Sequence, residues 1–305
     1  MRRKLRFWLS NVAILGFVFL LAGCSGSKPA AYNPNKDLGP QINYTITGMD
    51  ASSGIMDSTD KAIDVYGLKA KNWQLMPSST ASMLSTVDKA VKYKQPIVIP
   101  AYQPHWMFYE YPLKFLKDPK NVFGQGEHES TIARFGLKKD NPGAYKFLQN
   151  FHWTLKEAAP VMMNIHHGMS AKKAAKKFVK NNPKKVNQLL AGVPDGHGKK
   201  ISLAYMPYDY EYAANAVVRQ LLKDKGYDAT IQQLDVGVMW QAVVSKKVDA
   251  TITAELPATH AAFAKKYKGQ YDLVRTNLKG ARIGLAVPKY MKNINSIEDL
   301  KGSNN

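Results

Sequence analysis

The stretch "PIVIPAYQPHWMFYEYP" (residues 96–112) passes from an apolar run into a dense group of rings. Residues 100–112 hold six rings, with His105 counted, and three prolines. A buried strand alternates or stays aliphatic, and an exposed turn uses Gly, Asn and Asp. Rings concentrated where a strand ends therefore predict a wall that faces something other than the protein core.

Around this stretch, short β-branched runs alternate with helical patterns, and Gly and Pro mark the joints. The predicted strands are 44–47, 73–76, 96–99, 130–133, 201–205, 230–233, 250–254 and 282–287. The predicted helices are 53–66, 80–92, 144–149, 155–167, 170–181, 210–225, 238–244 and 258–267. This alternation predicts an α/β fold with parallel, doubly wound sheets, which bind ligands where strands lead into helices.

Four of the predicted strand ends carry polar or aromatic side chains. They are "GMDASSGIMDS" (48–58), "AYQPHWMF" (101–108), "AYMPYDYEYA" (204–213) and "AELPATH" (254–260). The first opens a helix whose free N–H groups suit an anion, and the others supply rings, a carboxylate and a histidine. Each is weak by itself, because a Ser- and Gly-rich loop is usually only a loop. Their coincidence at equivalent positions predicts a binding site.

The first 24 residues have the organisation of a secretory signal peptide. Four basic residues precede an apolar run that ends in Leu-Ala-Gly-Cys, and an uncleaved membrane anchor is the alternative. Cys24 is the single cysteine of the chain, so it has no partner for an internal disulfide. Because this pattern resembles a bacterial lipobox, we expect lipidation of Cys24 and a flexible tether over residues 25–40. The predicted location is the extracellular face of the plasma membrane.

The size and charge of the chain limit its function. Its 305 residues, 45% of them hydrophobic, suit one or two globular domains. The net charge of +20 falls to about +16 without the basic residues of the signal peptide. Export argues against nucleic acid as the partner. Lysine runs such as 172–177 indicate solvated helix faces near an anionic wall or membrane.

Several motifs resemble the glycine betaine binding lipoproteins of osmoprotectant ABC importers. They are "TITGMDASSGIMDSTDKA", "IVIPAYQPHWMFYEYPLKFLKDP", "TIARFGLKKDNPGAYKFLQNFHWT", "ISLAYMPYDYEYAANAVVRQLL", "AELPATH" and "LKGARIGLAVPKYMKNINSIEDLKG". The resemblance runs from about residue 41 to the end. It implies a two-lobed, type II periplasmic-binding-protein fold that closes over one quaternary ammonium ligand and docks on a permease with its ATPase. It also implies no cofactor, no metal and a monomer.

The resemblance further implies a circularly permuted chain of the Gram-positive type. The half similar to "ISLAYMPYDY" comes first in many relatives, and here it comes second. We therefore expect residues 41–130 plus 289–305 to form lobe A and 131–288 to form lobe B. Two crossing strands, Ser130–Leu137 and Arg282–Pro288, form the predicted hinge.

The ligand cage of the family is carried over position by position. Its three tryptophans fall on Tyr102, Tyr208 and Glu255. A quaternary ammonium has no N–H to donate, so ring faces and negative potential hold it. Tyrosine preserves that chemistry. Glu255 departs from it: a carboxylate attracts the ammonium directly but repels the carboxylate of a short zwitterion, and a rim ion pair with lysine is the alternative.

The carboxylate side of the family's site falls on the amides of Gly54 and Ile55 and on His260. If these groups hold a carboxylate, glycine betaine or the longer carnitine fits. If they do not, choline is favoured.

Other classes of function have weaker support. Asp209, Glu211 and Asp235 are possible acid–base residues, but the chain has no Gly-x-Ser-x-Gly elbow, P-loop or zinc signature. We therefore expect no enzyme. A basic adhesin or structural lipoprotein is the competing non-enzymatic class, yet it needs no rings at strand ends.

Overall fold

The computed structural model describes residues 30–51 and 53–302. Its strands are β1 (Thr45–Thr47), β2 (Gln74–Met76), β3 (Ile99–Gln103), β4 (Leu113–Phe115), β5 (Glu127–Arg134), β6 (Lys200–Tyr205), β7 (Asp228–Gln233), β8 (Ala250–Leu256) and β9 (Tyr271–Pro288). Its helices are α1 (Leu38–Gln41), α2 (Gly54–Val65), α3 (Thr80–Tyr93), α4 (Met107–Glu110), α5 (Leu137–Asp140), α6 (Pro142–Asn150), α7 (Leu155–His166), α8 (Ala171–Asn181), α9 (Pro183–Leu190), α10 (Asp209–Asp224), α11 (Val236–Val244) and α12 (Ala261–Lys266). Two 3₁₀ helices span Lys69–Lys71 and Ile297–Lys301. The predicted α/β class is confirmed.

Parallel and antiparallel pairs are mixed in the sheets. Strands β1 and β2 pair in parallel, and β6 pairs in parallel with β7 and β8. The larger sheet has the order β3-β9-β5-β8-β6-β7, with β4 against β9. Strands β5 and β9 pair antiparallel with their neighbours, so the expectation of purely parallel sheets was wrong.

Strand β9 changes partners along its length. Residues 271–281 pair with β5, and residues 282–288 pair with β3 and β4. We call residues 30–123 with 282–302 the first unit, and residues 127–281 the second unit. The chain passes between them at 124–126 and at 281–282, beside the predicted hinge strands. Hinge motion and the predicted lobe boundaries stay predictions.

Four of the eight predicted helices begin where a polar side chain caps them. The Ser79 hydroxyl accepts the Ser82 N–H at the start of α3, and Asn141 caps α6, whose first residue is Pro142. Helix α7 begins with a reciprocal capping box between Thr154 and Glu157. These local signals explain why the helical boundaries were predictable.

Two strands differ from the prediction. Strand β3 starts at Ile99 rather than Pro96, although Val98 still accepts the Thr47 N–H, at 2.9 Å. Strand β9 is 18 residues long and starts at Tyr271 rather than Arg282. Gly280, with a φ of +89°, resembles a turn in the sequence, but it lies inside the strand as an irregular position where register shifts.

Two apolar clusters form the described core. The larger one covers both units and includes Ile46, Val98, Phe147 and Leu221. The smaller one lies in the second unit around Trp240, which is fully buried. The Trp240 ring stacks near the rings of Tyr267 and Phe263.

The described part of the predicted tether is attached to the first unit. Tyr32 donates its backbone N–H to Lys94 and its hydroxyl to Asn293. Gln41 binds three carbonyl groups between residues 33 and 37, and Leu38 is buried. These residues therefore contact the first unit, and the tether over residues 25–40 stays a prediction. The predicted signal peptide, Cys24 and residues 25–29 lie outside the described residues.

Within residues 30–51 and 53–302, no helix combines the length and apolar character needed to cross a membrane.

Candidate functional site

A cavity of about 740 Å³ lies between the two units. The first unit lines it with residues from the start of α2, the end of β3 and the loop 121–124. The second unit lines it with residues from β5, from the start of α10 and from the end of β8. The segments from α2, β3, α10 and β8 are the four strand ends that the sequence analysis singled out, whereas the loop 121–124 and β5 were not predicted to take part. The volume suits one small molecule enclosed by both units.

Tyr102 and Tyr208 approach each other across this cavity. Tyr102 ends β3 in the first unit, and Tyr208 precedes α10 in the second unit. Their ring centroids are 6.3 Å apart with an angle of 61° between the planes. Tyr208 is 48% exposed, so its ring surface is accessible to a ligand. The structure therefore brings these two predicted residues together.

His105 lies behind Tyr102. Its ring meets the Tyr102 ring edge-on, with centroids 4.8 Å apart, and its Nδ1 accepts the Met107 N–H. Burial lowers the pKa of His105 to about 4, so the imidazole is neutral at neutral pH. A neutral neighbour adds no positive charge beside Tyr102, which keeps the ring attractive to a cation.

The N-terminus of α2 faces the cavity from the first unit. Gly54 and Ile55 line the cavity, and Ser53 is the cap residue. The first N–H groups of a helix have no intrahelical acceptor, and the helix dipole is positive at this end. This side of the cavity therefore suits an anionic group.

Glu255 and His260 contact each other at the end of β8. The Glu255 N–H donates to His260 Nδ1 at 3.0 Å, so His260 carries its proton on Nε2. That Nε2 lies 3.8 Å from the Glu255 carboxylate. Burial lowers the pKa of His260 to about 4. Glu255 lines the cavity, whereas His260 is not among its lining residues. His260 contacts Glu255 through both of its ring nitrogens.

Two further glutamates, Glu129 and Glu211, line the cavity and were not predicted as site residues. Both side chains are only 1% exposed. Glu129 lies directly across from Glu255 in the β5–β8 pairing. One oxygen of Glu211 accepts the Met206 N–H and the Thr253 hydroxyl. The other Glu211 oxygen, Oε1, and Glu129 Oε2 have no hydrogen-bond partner among the described residues.

Burial and mutual repulsion raise the pKa of all three glutamates. Burial is the main cause in each case, and the charge of Glu255 adds to it for Glu129 and Glu211. Burial and the charge of Glu127 raise the pKa of Glu255 to about 7. Carboxyl groups of this kind bind protons more readily than exposed ones.

Little in the sequence identified Glu129. It lies in "EHES" (127–130), where alternating charges are typical of an exposed strand. Glu211 was considered only as a possible acid. Pairing of Glu129 with Glu255 is a consequence of strand register, which a single sequence does not contain.

The overall balance of charge in the cavity is acidic. Among its described lining residues, five carry carboxyl groups: Asp50, Glu127, Glu129, Glu211 and Glu255. Arg282 is the single lining residue of that described set with a positive charge, and its guanidinium lies 4.0 Å from the Phe115 ring centre. In the part of the chain that the structure describes, no group of three His, Cys, Asp or Glu residues is arranged to hold a metal ion.

The two units also touch beside the cavity. Trp106 of the first unit donates its indole N–H to Asp209 of the second at 3.0 Å. The same indole stacks on His166, with ring centroids 3.5 Å apart. Tyr109 donates to the Leu155 carbonyl, and His167 pairs with Glu110 at 3.2 Å. These contacts place Trp106 between the units.

Comparison with known proteins identifies the family of this chain. Residues 28–181 and 199–305 match the family model described as the substrate binding domain of ABC-type glycine betaine transport systems. The chain is 50% identical over 296 residues to the glycine betaine/carnitine transport binding protein GbuC of Listeria monocytogenes serotype 1/2a (strain 10403S). This alignment covers 97% of the chain and 98% of that relative.

Two similar solved structures contain ligands. Lactococcal OpuAC in its closed form with glycine betaine is 39% identical, with a TM-score of 0.44. That match covers 53% of this chain and 62% of the lactococcal one. A choline binding protein of an ABC transporter, in complex with choline, is 25% identical with a TM-score of 0.40, over 51% of this chain and 55% of that one. Each alignment thus spans less than two thirds of the solved chain.

The chain belongs to the substrate-binding domain family of ABC-type glycine betaine transport systems. The predicted family resemblance is confirmed. A protein of this family works with a small ligand and with membrane components of an ABC transporter.

Proposed function

We propose that this member of the family captures glycine betaine or a related quaternary ammonium solute between its two units and delivers it to the permease of an ABC importer. The observation that carries this proposal is the pair Tyr102 and Tyr208. Their rings come from different units and meet at one cavity, 6.3 Å apart. A methylated nitrogen cannot donate a hydrogen bond, so ring faces are the groups that suit it.

The strength of such a site is sufficient for transport. A desolvated ring contributes up to about 2 kcal/mol to cation binding. Two rings and the nearby Glu255 therefore supply a large part of the roughly 8 kcal/mol that micromolar affinity requires. A carboxylate on the ligand has a place at the N–H groups of Gly54 and Ile55, on the opposite side of the cavity.

The same geometry explains how the ligand is captured. Because the ring pair and the helix terminus belong to different units, a ligand that contacts both stabilises the arrangement in which the units are close. Differential affinity for that closed state drives closure. The closed form then docks on the permease, and the ATPase of the importer supplies the energy for transfer.

The proposed location and assembly follow from the sequence. Lipidation at Cys24 anchors the mature chain to the extracellular face of the plasma membrane. The chain acts as a monomer and performs no catalysis, since a receptor that delivers intact solute has no bond to break.

Titration calorimetry with glycine betaine, carnitine and choline tests the proposal. We expect at least one of them to bind at micromolar concentration. The change Tyr208→Ala removes one ring and weakens that ligand about thirtyfold. Tyr93→Ala, which alters a 41% exposed tyrosine at the end of α3, changes affinity less than about twofold. Failure of all three ligands to bind below millimolar concentration contradicts the proposal.

Choline is the second candidate ligand, and a specific observation favours it. Five carboxyl groups but a single arginine are present among the described lining residues. A ligand with a positive charge and no carboxylate avoids repulsion by these groups. The affinity ratio of choline to glycine betaine in the same titrations distinguishes the two.

A further inference from the structure

We propose that Glu129 and Glu211, together with Glu255, are the counter-charge for the methylated nitrogen, and that ligand binding expels a proton from this cluster. The inference rests on the proposed function and goes beyond it. It adds two recognition residues and makes affinity depend on pH. We call Glu129, Glu211 and Glu255 the glutamate cluster.

The geometry of the glutamate cluster indicates that it is part of a ligand site. Glu129 Oε2 and Glu211 Oε1 are buried, lack a partner among the described residues and belong to side chains that line the cavity. A buried carboxyl oxygen without a partner is costly, so such atoms are rare in folded proteins. Here they lie at the same cavity as the exposed ring of Tyr208, which is suited to a cation.

No hydrogen-bond donor within residues 30–51 and 53–302 satisfies these oxygens. The remaining Glu211 oxygen already accepts from Met206 and Thr253, which fixes its orientation. Glu129 and Glu255 face each other across two antiparallel strands, so their carboxyl groups are held as neighbours. Three rigidly placed carboxyl groups form a site for one positive charge that needs no donor hydrogen.

Repulsion within the cluster makes it bind protons when no ligand is present. Carboxyl groups that share a buried site cannot all ionise, and burial raises the pKa of each. The charged and titratable groups that face the cluster come from several elements: Glu127 on β5, Asp209 and Tyr210 on α10, Tyr208 before α10, Tyr102 on β3, His260 after β8 and Arg282 on β9. Arg282 is the one permanent cation of this described set, and a neutral His260 adds no positive charge.

The proposed step is an exchange of cations. The O–H bond of one carboxyl group breaks, its proton leaves to solvent, and the resulting carboxylate pairs with the methylated nitrogen. No electron is transferred, and net charge is conserved. Linkage then requires that affinity rises with pH until the free cluster is ionised, by at most about tenfold per pH unit for one proton.

Calorimetry of the purified chain with glycine betaine and with choline tests this exchange. Both probes keep a constant charge between pH 5.5 and 8. We expect release of between about 0.2 and 1 proton at pH 7, measured as a difference in heat between phosphate and Tris buffers. We also expect affinity to rise about threefold to tenfold from pH 5.5 to 7.

Glu129→Gln and Glu211→Gln separate recognition from a structural role. Each is expected to weaken binding about tenfold at pH 8 and to flatten the pH profile, because the remaining carboxyl groups no longer repel one another. Asp228→Asn, at an exposed position on β7, is the matched control and leaves both quantities unchanged. Thermal melts at pH 8 show that the variants fold, since removal of a buried charge preserves or raises stability.

Failure of this inference is distinguishable from failure of the proposed function. If a ligand binds with constant affinity from pH 5.5 to 8 and no proton is exchanged, the inference is wrong and the proposed function stands. The inference is also wrong if ligand affinity in both glutamine variants depends on pH as it does in the unsubstituted protein. If neither probe binds below millimolar concentration, the inference is overturned, and if carnitine also fails to bind, the proposed function is overturned with it.

Discussion

The first unit lines the cavity with the N–H groups at the start of α2, one carboxylate and one arginine, whereas the second unit lines it with four carboxyl groups, two of them buried. Gly54 and Ile55 begin a helix of 12 residues, and Asp50 is the carboxylate of that side. Across from them lie Glu129 and Glu211. Tyr102 belongs to the wall of the first unit and Tyr208 to the wall of the second unit.

This difference indicates a polarity for the ligand. The N-terminus of a helix stabilises an anion, and ionised glutamates stabilise a cation. A zwitterion spans the two walls in one orientation, with its ammonium group toward the second unit. A simple cation needs the second wall and the rings alone. Each variant below changes one part of the site. Ligand affinity or the melting temperature is then measured.

The largest expected effect is reversal of charge on the acidic wall. Glu255→Lys converts an attraction of about 4 kcal/mol, for charges 4 Å apart at an effective dielectric of 20 and before desolvation, into a repulsion. We expect affinity for any quaternary ammonium ligand to fall at least about a hundredfold. Glu298→Lys makes the same change of charge at an exposed position in the last 3₁₀ helix, and it is the control for net charge. Equal effects of the two variants in calorimetry contradict a contact with Glu255.

A smaller effect is expected on the N–H wall, and it depends on the ligand. Gly54→Pro removes one N–H at the first position of α2, where proline is well tolerated. We expect about tenfold weaker binding of glycine betaine and unchanged binding of choline, because choline has no carboxylate to accept that N–H. A Cβ atom at Gly54 meets no atom within 4 Å, so Gly54→Ala is the matched control with its N–H intact. Equal losses for both ligands show that the helix terminus holds no anion.

Contact between the units is expected to contribute less than either wall. Trp106→Phe keeps a ring against His166 but removes the donor to Asp209. We expect about fivefold weaker ligand binding, because the closed arrangement loses one hydrogen bond to a carboxylate. Trp73→Phe removes an indole donor to Leu300 within the first unit and serves as the control. It lowers the melting temperature without a specific loss of affinity. If Trp73→Phe weakens ligand binding and Trp106→Phe does not, the role of Trp106 is contradicted.

The smallest effect concerns the support behind the acidic wall. Burial lowers the pKa of His260 to about 4 from its ordinary value of 6.5, so the unfolded chain binds the extra proton first as pH falls. The contribution of His260 to stability is therefore complete above pH 6.5 and decreases toward pH 4. We expect the melting temperature of the ligand-free protein, relative to His260→Gln, to fall by a few degrees over this range. His197→Asn, at an exposed turn, is the control, and a constant difference contradicts the assignment.

Part of the candidate site was predictable from the sequence. Tyr102, Tyr208 and Glu255 follow strand ends, and the family resemblance identified them as the cage positions. All three line the cavity. His260 was assigned to a ligand carboxylate by the same resemblance, yet here its Nδ1 is engaged by the Glu255 N–H. A motif preserves the position of a residue along the chain but does not specify the contacts of its side chain.

Glu129 shows why the remainder of the site was not predictable. In the sequence it is one of several charged residues at the start of a strand, and exposure is the usual outcome for such residues. It becomes buried because β5 lies between β8 and β9 in the sheet. The antiparallel register then places it opposite Glu255, 126 residues further along the chain.

Local signals in the chain determined most of the longer helices, most strands, the aromatic strand ends and the family. These properties depend on residues close in sequence: caps, periodic apolar positions and turn residues. Tertiary structure decided which strand ends meet, that β9 joins both units, and that three carboxyl groups share one cavity. Pairing of distant strands sets these relations, and the energy of a buried charge depends on neighbours that only the folded chain brings together.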